Sequence, residues 1–143
     1  FDERMRLRPL EYSRALALGA DENTIFEDLV QWMLLNGAKL PYLNRSRVGR
    51  VSHGPALIRG VVVTAPVYEK TIFSVVPERL LLSREAMLET PLRVPILRER
   101  LSIFVSLILA ILYEMRRAQE VPTSEWAPYM RFLSTVTLET PTQ

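Results

Sequence analysis

The chain has 143 residues, of which 48% are hydrophobic and 24% charged, enough apolar material for one core and too much for a globally disordered chain. Net charge is only +2, yet sixteen of the eighteen basic residues are arginine. There is no cysteine and one histidine, His53, which excludes disulfides, thiolate or histidine-based zinc sites and a cysteine nucleophile; a serine triad would rest on His53, with no Gly-x-Ser-x-Gly elbow beside it.

In chain order, residues 1 to 20 mix charged and apolar residues in a pattern unlike a secretory signal. Arg4, Arg6, Arg8 and Arg14 make this stretch a basic, mostly solvated arm, and the missing initiator Met suggests a processed or partial chain. A first helix is expected over 24–36. Thr24 and Glu27 have capping-box spacing, and Phe26, Leu29, Val30, Met33 and Leu34 form one apolar stripe. Asn36-Gly37 ends it, with Gly suited to a left-handed C-terminal position. Residues 40–52 read as a loop carrying Arg45, Arg47 and Arg50, which two readings fit: a solvated connector, or a loop facing RNA or an acidic partner. His53-Gly54-Pro55 marks a turn.

Two β-branched runs come next, Ile58 to Thr64 and Thr71 to Pro77, and read as a strand pair near 57–77, with Pro66 in the connection. Ser83 is an N-cap for a short helix over 84–89, stopped by Thr90-Pro91, and 92–95 is a second connector. The longest helix is expected over 97–118, with Leu101, Phe104, Val105, Ile108, Leu112 and Met115 as its main face. Ser102, Ser106 and Ala110 form a small-residue stripe that would let another backbone approach closely. Its longest apolar run, Leu101 to Tyr113, rises roughly 20 Å, short of the ~30 Å of a bilayer core, so no membrane span is expected. Ser124 would cap a last helix over 125–134 bearing Trp126, Tyr129, Met130 and Leu133. These elements define an α+β domain, parsed as 1–52, 53–83 and 84–143. The apolar helix has too few partners here, so the domain is expected to be incomplete, with that helix packing on further residues or on a protein neighbour.

Three ordered local patterns resemble the N-terminal part of the SET domain of Rubisco large-subunit methyltransferase-type enzymes. The first is Gly60-Val61-Val62-Val63, then Phe73-Ser74-Val75-Val76-Pro77 through Ser83. The second is the lead helix Phe26 to Gly37. The third is the apolar run Leu107 to Glu114 followed by Ser124-Glu125-Trp126-Ala127-Pro128-Tyr129-Met130. The resemblance implies S-adenosylmethionine as cofactor, held against the backbone of Arg59, Gly60 and Val61, and a protein-lysine methyltransferase activity. Ile58 stands where the family has its first glycine, and the family's Asn-His pair and late catalytic tyrosine find no match in these 143 residues. No catalytic residue and no metal is therefore expected in this chain.

Two functions are consistent with these observations. One is the N-terminal part of a SET-like methyltransferase. The other is a degenerate SET-like scaffold, a subunit or assembly factor of a large complex such as a mitochondrial ribosome, with RNA contact through Arg45, Arg47 and Arg50. A third reading is a small helical interaction domain. The expected location is intracellular, mitochondrial or cytoplasmic, and not secreted.

Overall fold

The computed structural model describes residues 7–10 and 20–135. The expectations placed on Arg4, Arg6 and Arg14 lie outside them. The described elements are α1 (Glu22–Leu35), β1 (Ser46–His53), β2 (Ala56–Val63), α2 (Arg84–Met87), α3 (Arg93–Arg98), α4 (Ile103–Glu120) and α5 (Ala127–Ser134), with 3₁₀ turns at Leu43–Arg45 and Glu78–Leu80. Mixed helix and strand bear out the α+β class.

Helix α1 carries the main core. Phe26, Leu29, Val30 and Trp32 are buried on one side of it. They meet α5 through two aromatic pairs, Phe26 with Phe132 at 5.8 Å and Trp32 with Trp126 at 5.4 Å between ring centroids. The cap is not the Thr24–Glu27 pair: Asp21 is the N-cap, and its Oδ1 accepts from the Thr24 amide at 2.8 Å. Asp21 takes the position because it lies three residues before the amide it satisfies, which extends the helix by two residues. The C-terminus closes as expected. Gly37 sits at φ +92°, its amide donates to Leu34 O, and the Ala38 amide donates to Met33 O, the paired bonds of a Schellman cap.

The sheet differs from expectation in its partner. β2 matches the first predicted run, but it pairs antiparallel with β1, which covers the residues read as a loop. The two-residue connection Gly54-Pro55 explains this. Gly54 adopts φ +60° and Pro55 holds a negative φ, the sign pattern of a type II′ hairpin turn, so the chain folds back at once. The run 71–77 contributes only an isolated bridge between Lys39 and Val75. Lys70, at φ +62°, turns the chain just before it.

A second cluster, Met87, Ile96 and Ala110, joins α2, α3 and α4. The helix expected over 97–118 is two helices. α3 takes in most of the predicted connector, with Pro95 inside its first turn. It ends in a Schellman cap of its own: the Leu101 amide donates to Ile96 O, and the Arg100 amide to Leu97 O, with Arg100 at φ +50°. Ser102 is then the N-cap of α4, its Oγ accepting from the Val105 amide at 3.2 Å. α2 keeps its Ser83 cap but stops at Met87. α5 starts at Ala127 behind a Trp126 cap with Pro128 in its first turn, and Ser124 is buried upstream of it.

Helix α4 presents the reverse of the expected face. Ser106, Ala110 and Glu114 are its buried stripe, whereas Phe104 is 73% exposed and Leu112 58%. Small residues allow the close approach to α2 and α5 that the long apolar side chains would block. The apolar stripe Phe104-Ile108-Leu112 therefore points away from the described core.

Two substitutions test these packing arguments by urea denaturation. Arg100→Gly relieves the left-handed backbone of a non-glycine residue and is expected to stabilise by roughly 0.5–1 kcal/mol. Ala110→Leu overfills the α2–α4 contact and is expected to destabilise by about 1–3 kcal/mol.

Candidate functional site

The segment Arg59-Gly60-Val61 lies in the middle of β2. Register pairs Arg59 with Arg50, Gly60 with Gly49 and Val61 with Val48. Because side chains alternate, Arg59, Arg50, Val61 and Val48 share the face toward α1 and α5, and Gly60 and Gly49 share the other. Four contacts set the hairpin on the helices. The Val48 amide donates to Asn23 Oδ1 at 3.0 Å. Arg50 Nη2 donates to Glu22 Oε1 at 2.8 Å, and Arg59 Nε lies 3.2 Å from Glu22 Oε2. The Arg59 guanidinium also sits over the Phe132 ring, 5.2 Å from its centroid. One carboxylate in the first turn of α1 thus holds a cross-strand pair of arginines that would otherwise repel. The hydrogen bond from Arg50, with Arg59 beside it, keeps the Glu22 carboxyl below its ordinary value.

On the opposite face the two glycines differ. A Cβ at Gly49 would meet Val62 Cγ2 at 2.8 Å, so that glycine is required by packing within the hairpin. A Cβ at Gly60 would meet nothing within 4 Å. The backbone at Gly60 is therefore bare and open, flanked by Ile58, which is 51% exposed. Arg59, Gly60 and Val61, expected from the sequence to contact a cofactor, are consecutive in β2, with Gly60 on the face opposite the other two.

The three loop arginines are not one patch. Arg45 ends the 3₁₀ turn, and its carbonyl accepts from the Thr64 amide and hydroxyl, closing the open end of the hairpin. Arg47 and Arg50 stand on opposite faces of β1, and Arg50 is paired with Glu22. Strand pairing, absent from the loop reading, separates them. His53 is the exposed last residue of β1, beside the turn as expected.

A second site was not legible in the sequence. A cleft of about 620 Å³ opens between the 3₁₀ turn Glu78–Leu80, α2 and the α4–α5 connection. Glu114 lines it although its side chain is almost fully enclosed, at 2% exposure. Its Oε2 has no hydrogen-bond partner among the described residues. Burial pushes the Glu114 carboxyl above its ordinary 4.5, with Arg117 opposing and Glu125 adding to the shift. The only sequence signal was position: Glu114 continues the small-residue stripe Ser106-Ala110 by one turn. Among the described residues, no group of three or more His, Asp or Glu is placed to hold a metal ion, and no helix is long and apolar enough to cross a membrane.

No family model matches the chain, and neither a curated protein nor a solved structure does.

The raised carboxyl of Glu114 gives a signed pH dependence. A folded value above the unfolded one means stability that is fully present below about pH 4.5 and is lost as pH rises through the folded value. Glu114→Gln carries no such titration. Its melting temperature is expected to overtake that of the parent chain as pH rises between about 4 and 8, read by circular dichroism at matched ionic strength.

Proposed function

We propose that this chain is the N-terminal part of a SET-like, S-adenosylmethionine-dependent protein-lysine methyltransferase, contributing cofactor contacts rather than the reacting groups. The observation that carries the reading is the open backbone at Gly60, in the strand where the sequence resembles the family's cofactor segment. A side chain there would block a flat ligand from the strand, and nothing in the hairpin's own packing calls for glycine at that position. The residues fit the group at this level: Arg59 and Val61 direct their side chains to the helix-facing side, leaving Gly60 as the point of approach. When bound, the cofactor would supply an electrophilic methyl group. The chain's own part is to hold the hairpin at a fixed angle through Glu22, Asn23 and Phe132, and to keep one face of β2 bare. No residue is assigned to deprotonate or position a lysine.

A second reading, a degenerate SET-like scaffold in a large assembly such as a mitochondrial ribosome, is favoured by a different observation. The outward stripe of α4 is apolar, and Val94 and Leu97 of α3 add to it, at 65% and 47% exposed. Large apolar side chains exposed in this number on a folded domain fit a contact with protein. In this reading Arg45 and Arg47 remain the candidates for RNA contact.

Titration of the natural full-length protein with S-adenosylmethionine by calorimetry separates the two. Saturable binding that Gly60→Val weakens at least tenfold, with unchanged thermal stability, upholds the cofactor reading. Absence of binding overturns it and leaves the scaffold.

A further inference from the structure

We propose that the cleft floored by Glu114 is a binding site for an alkylammonium or alkylguanidinium group, with the Glu114 carboxylate as its terminal acceptor. The site lies apart from Gly60 and does not depend on the methyltransferase reading.

The first argument is an unmet demand. An enclosed carboxylate is tolerated when it is paired or fully hydrogen-bonded. Glu114 is enclosed, its Oε2 is unpartnered among the described residues, and it lines an open cleft rather than a sealed void. Protonation does not remove the demand, because a neutral carboxyl at the same place still leaves Oε2 without a partner. A cation that entered the cleft and drew the Glu114 carboxylate toward it would meet this demand.

The second argument is the charge around the opening. Among the described residues that line the cleft, Glu78, Glu85, Glu89 and Glu125 join Glu114, with Arg79 and Arg117 as the basic ones. Arg79 is already engaged at the wall: its Nε donates to the Asn36 carbonyl at 2.6 Å. Arg117 acts on Glu114 through space, without a hydrogen bond to it among the described residues. The described lining therefore carries more carboxylates than guanidiniums, a balance that favours a cation over an anion.

The third argument selects the kind of cation. Leu81, Met87 and Trp126 supply apolar wall, suited to a methylene stem. A bare metal ion would find one buried carboxylate and, among the described residues, no cluster of three or more ligands. A cleft of about 620 Å³ falls within the usual range of roughly 300–1,000 Å³ for small-molecule sites.

The test is a nuclear magnetic resonance titration of the chain, following the Met87 methyl and the Trp126 indole. The probes are Nα-acetyl-lysine methylamide and Nα-acetyl-arginine methylamide, with the norleucine and citrulline analogues as neutral controls. Saturable shifts with the cationic probes, absent with the neutral ones and at least tenfold weaker in Glu114→Gln, uphold the proposal. It is overturned if the cationic probes produce no shift, if the norleucine analogue binds as well as the lysine one, or if Glu114→Gln binds unchanged. The comparison of charged and neutral probes needs no variant, so it decides the matter even if Glu114→Gln does not fold. A further arm compares n-butylamine with a short glycine peptide carrying one lysine. Tighter binding of the peptide assigns the natural ligand to a protein segment, tighter binding of the amine to a small molecule, and both uphold the chemistry.

Discussion

The buried amide of Asn36 holds three segments of this protein in register. Its side chain accepts from the Arg8 amide at 2.7 Å, and its Nδ2 donates to the carbonyls of Arg8 and Trp32. Its own carbonyl accepts from Arg79 Nε. A single residue at 1% exposure therefore joins the N-terminal segment, the end of α1 and the 3₁₀ turn at Glu78–Leu80. The geometry depends on Gly37 next to it. A Cβ there would lie 2.6 Å from Arg79 Nη2, and the φ of +92° is one that side chains resist. Leu7 and Arg79 both line the acidic cleft, so the same hydrogen bonds that end α1 also fix one wall of the site around Glu114. Packing and candidate function share one constraint.

Helix α4 has to satisfy two neighbours at once, and its sequence is divided accordingly. Close approach to α2 and α5 selects Ser106 and Ala110 for the inner stripe, and one turn further the stripe arrives at Glu114, where the contact opens into the cleft. The bulky side chains are displaced to the opposite side, Phe104, Ile108 and Leu112. Ordinary amphipathic logic, apolar in and polar out, is inverted over Phe104 to Glu114, whereas Met115 and Ala118 further on pack against the main core. An inner carboxylate and an outer apolar stripe are both costly when left bare; the proposed cation site answers the first, and the scaffold reading the second.

Much of this was legible in the sequence where local chemistry decides structure. Gly37 announced the end of α1, Ser83 the start of α2, and Gly54-Pro55 a reversal. The parallel case of Arg100 shows the limit. It caps α3 with the same pair of hydrogen bonds as Gly37, but arginine gives no sign of a left-handed backbone, so two helices read as one. The hairpin partner was hidden for a related reason. Strand β1, Ser-Arg-Val-Gly-Arg-Val-Ser-His, has only two β-branched apolar residues, and it is a strand because the tight turn delivers it to β2. The run 71–77 has the better composition and lacks the geometry. Glu114 could not be singled out at all, since its burial arises from α2 and α5, which the fold brings around it.

The hairpin that bears Gly60 is the part of the molecule with least support of its own. A two-stranded sheet is marginal by itself and gains stability from what it packs against. Here one face is held, by Val48 in the core, by the Glu22 carboxylate between Arg50 and Arg59, and by Phe132 under the Arg59 guanidinium. The other face, with Gly60, Ile58 and Val51, is largely exposed. The held face sets the angle of the strand, and the open face is where a ligand or further strand would add area. A cofactor that approached Gly60 would therefore bind to backbone whose position is decided on the far side of the sheet, by one glutamate in the first turn of α1.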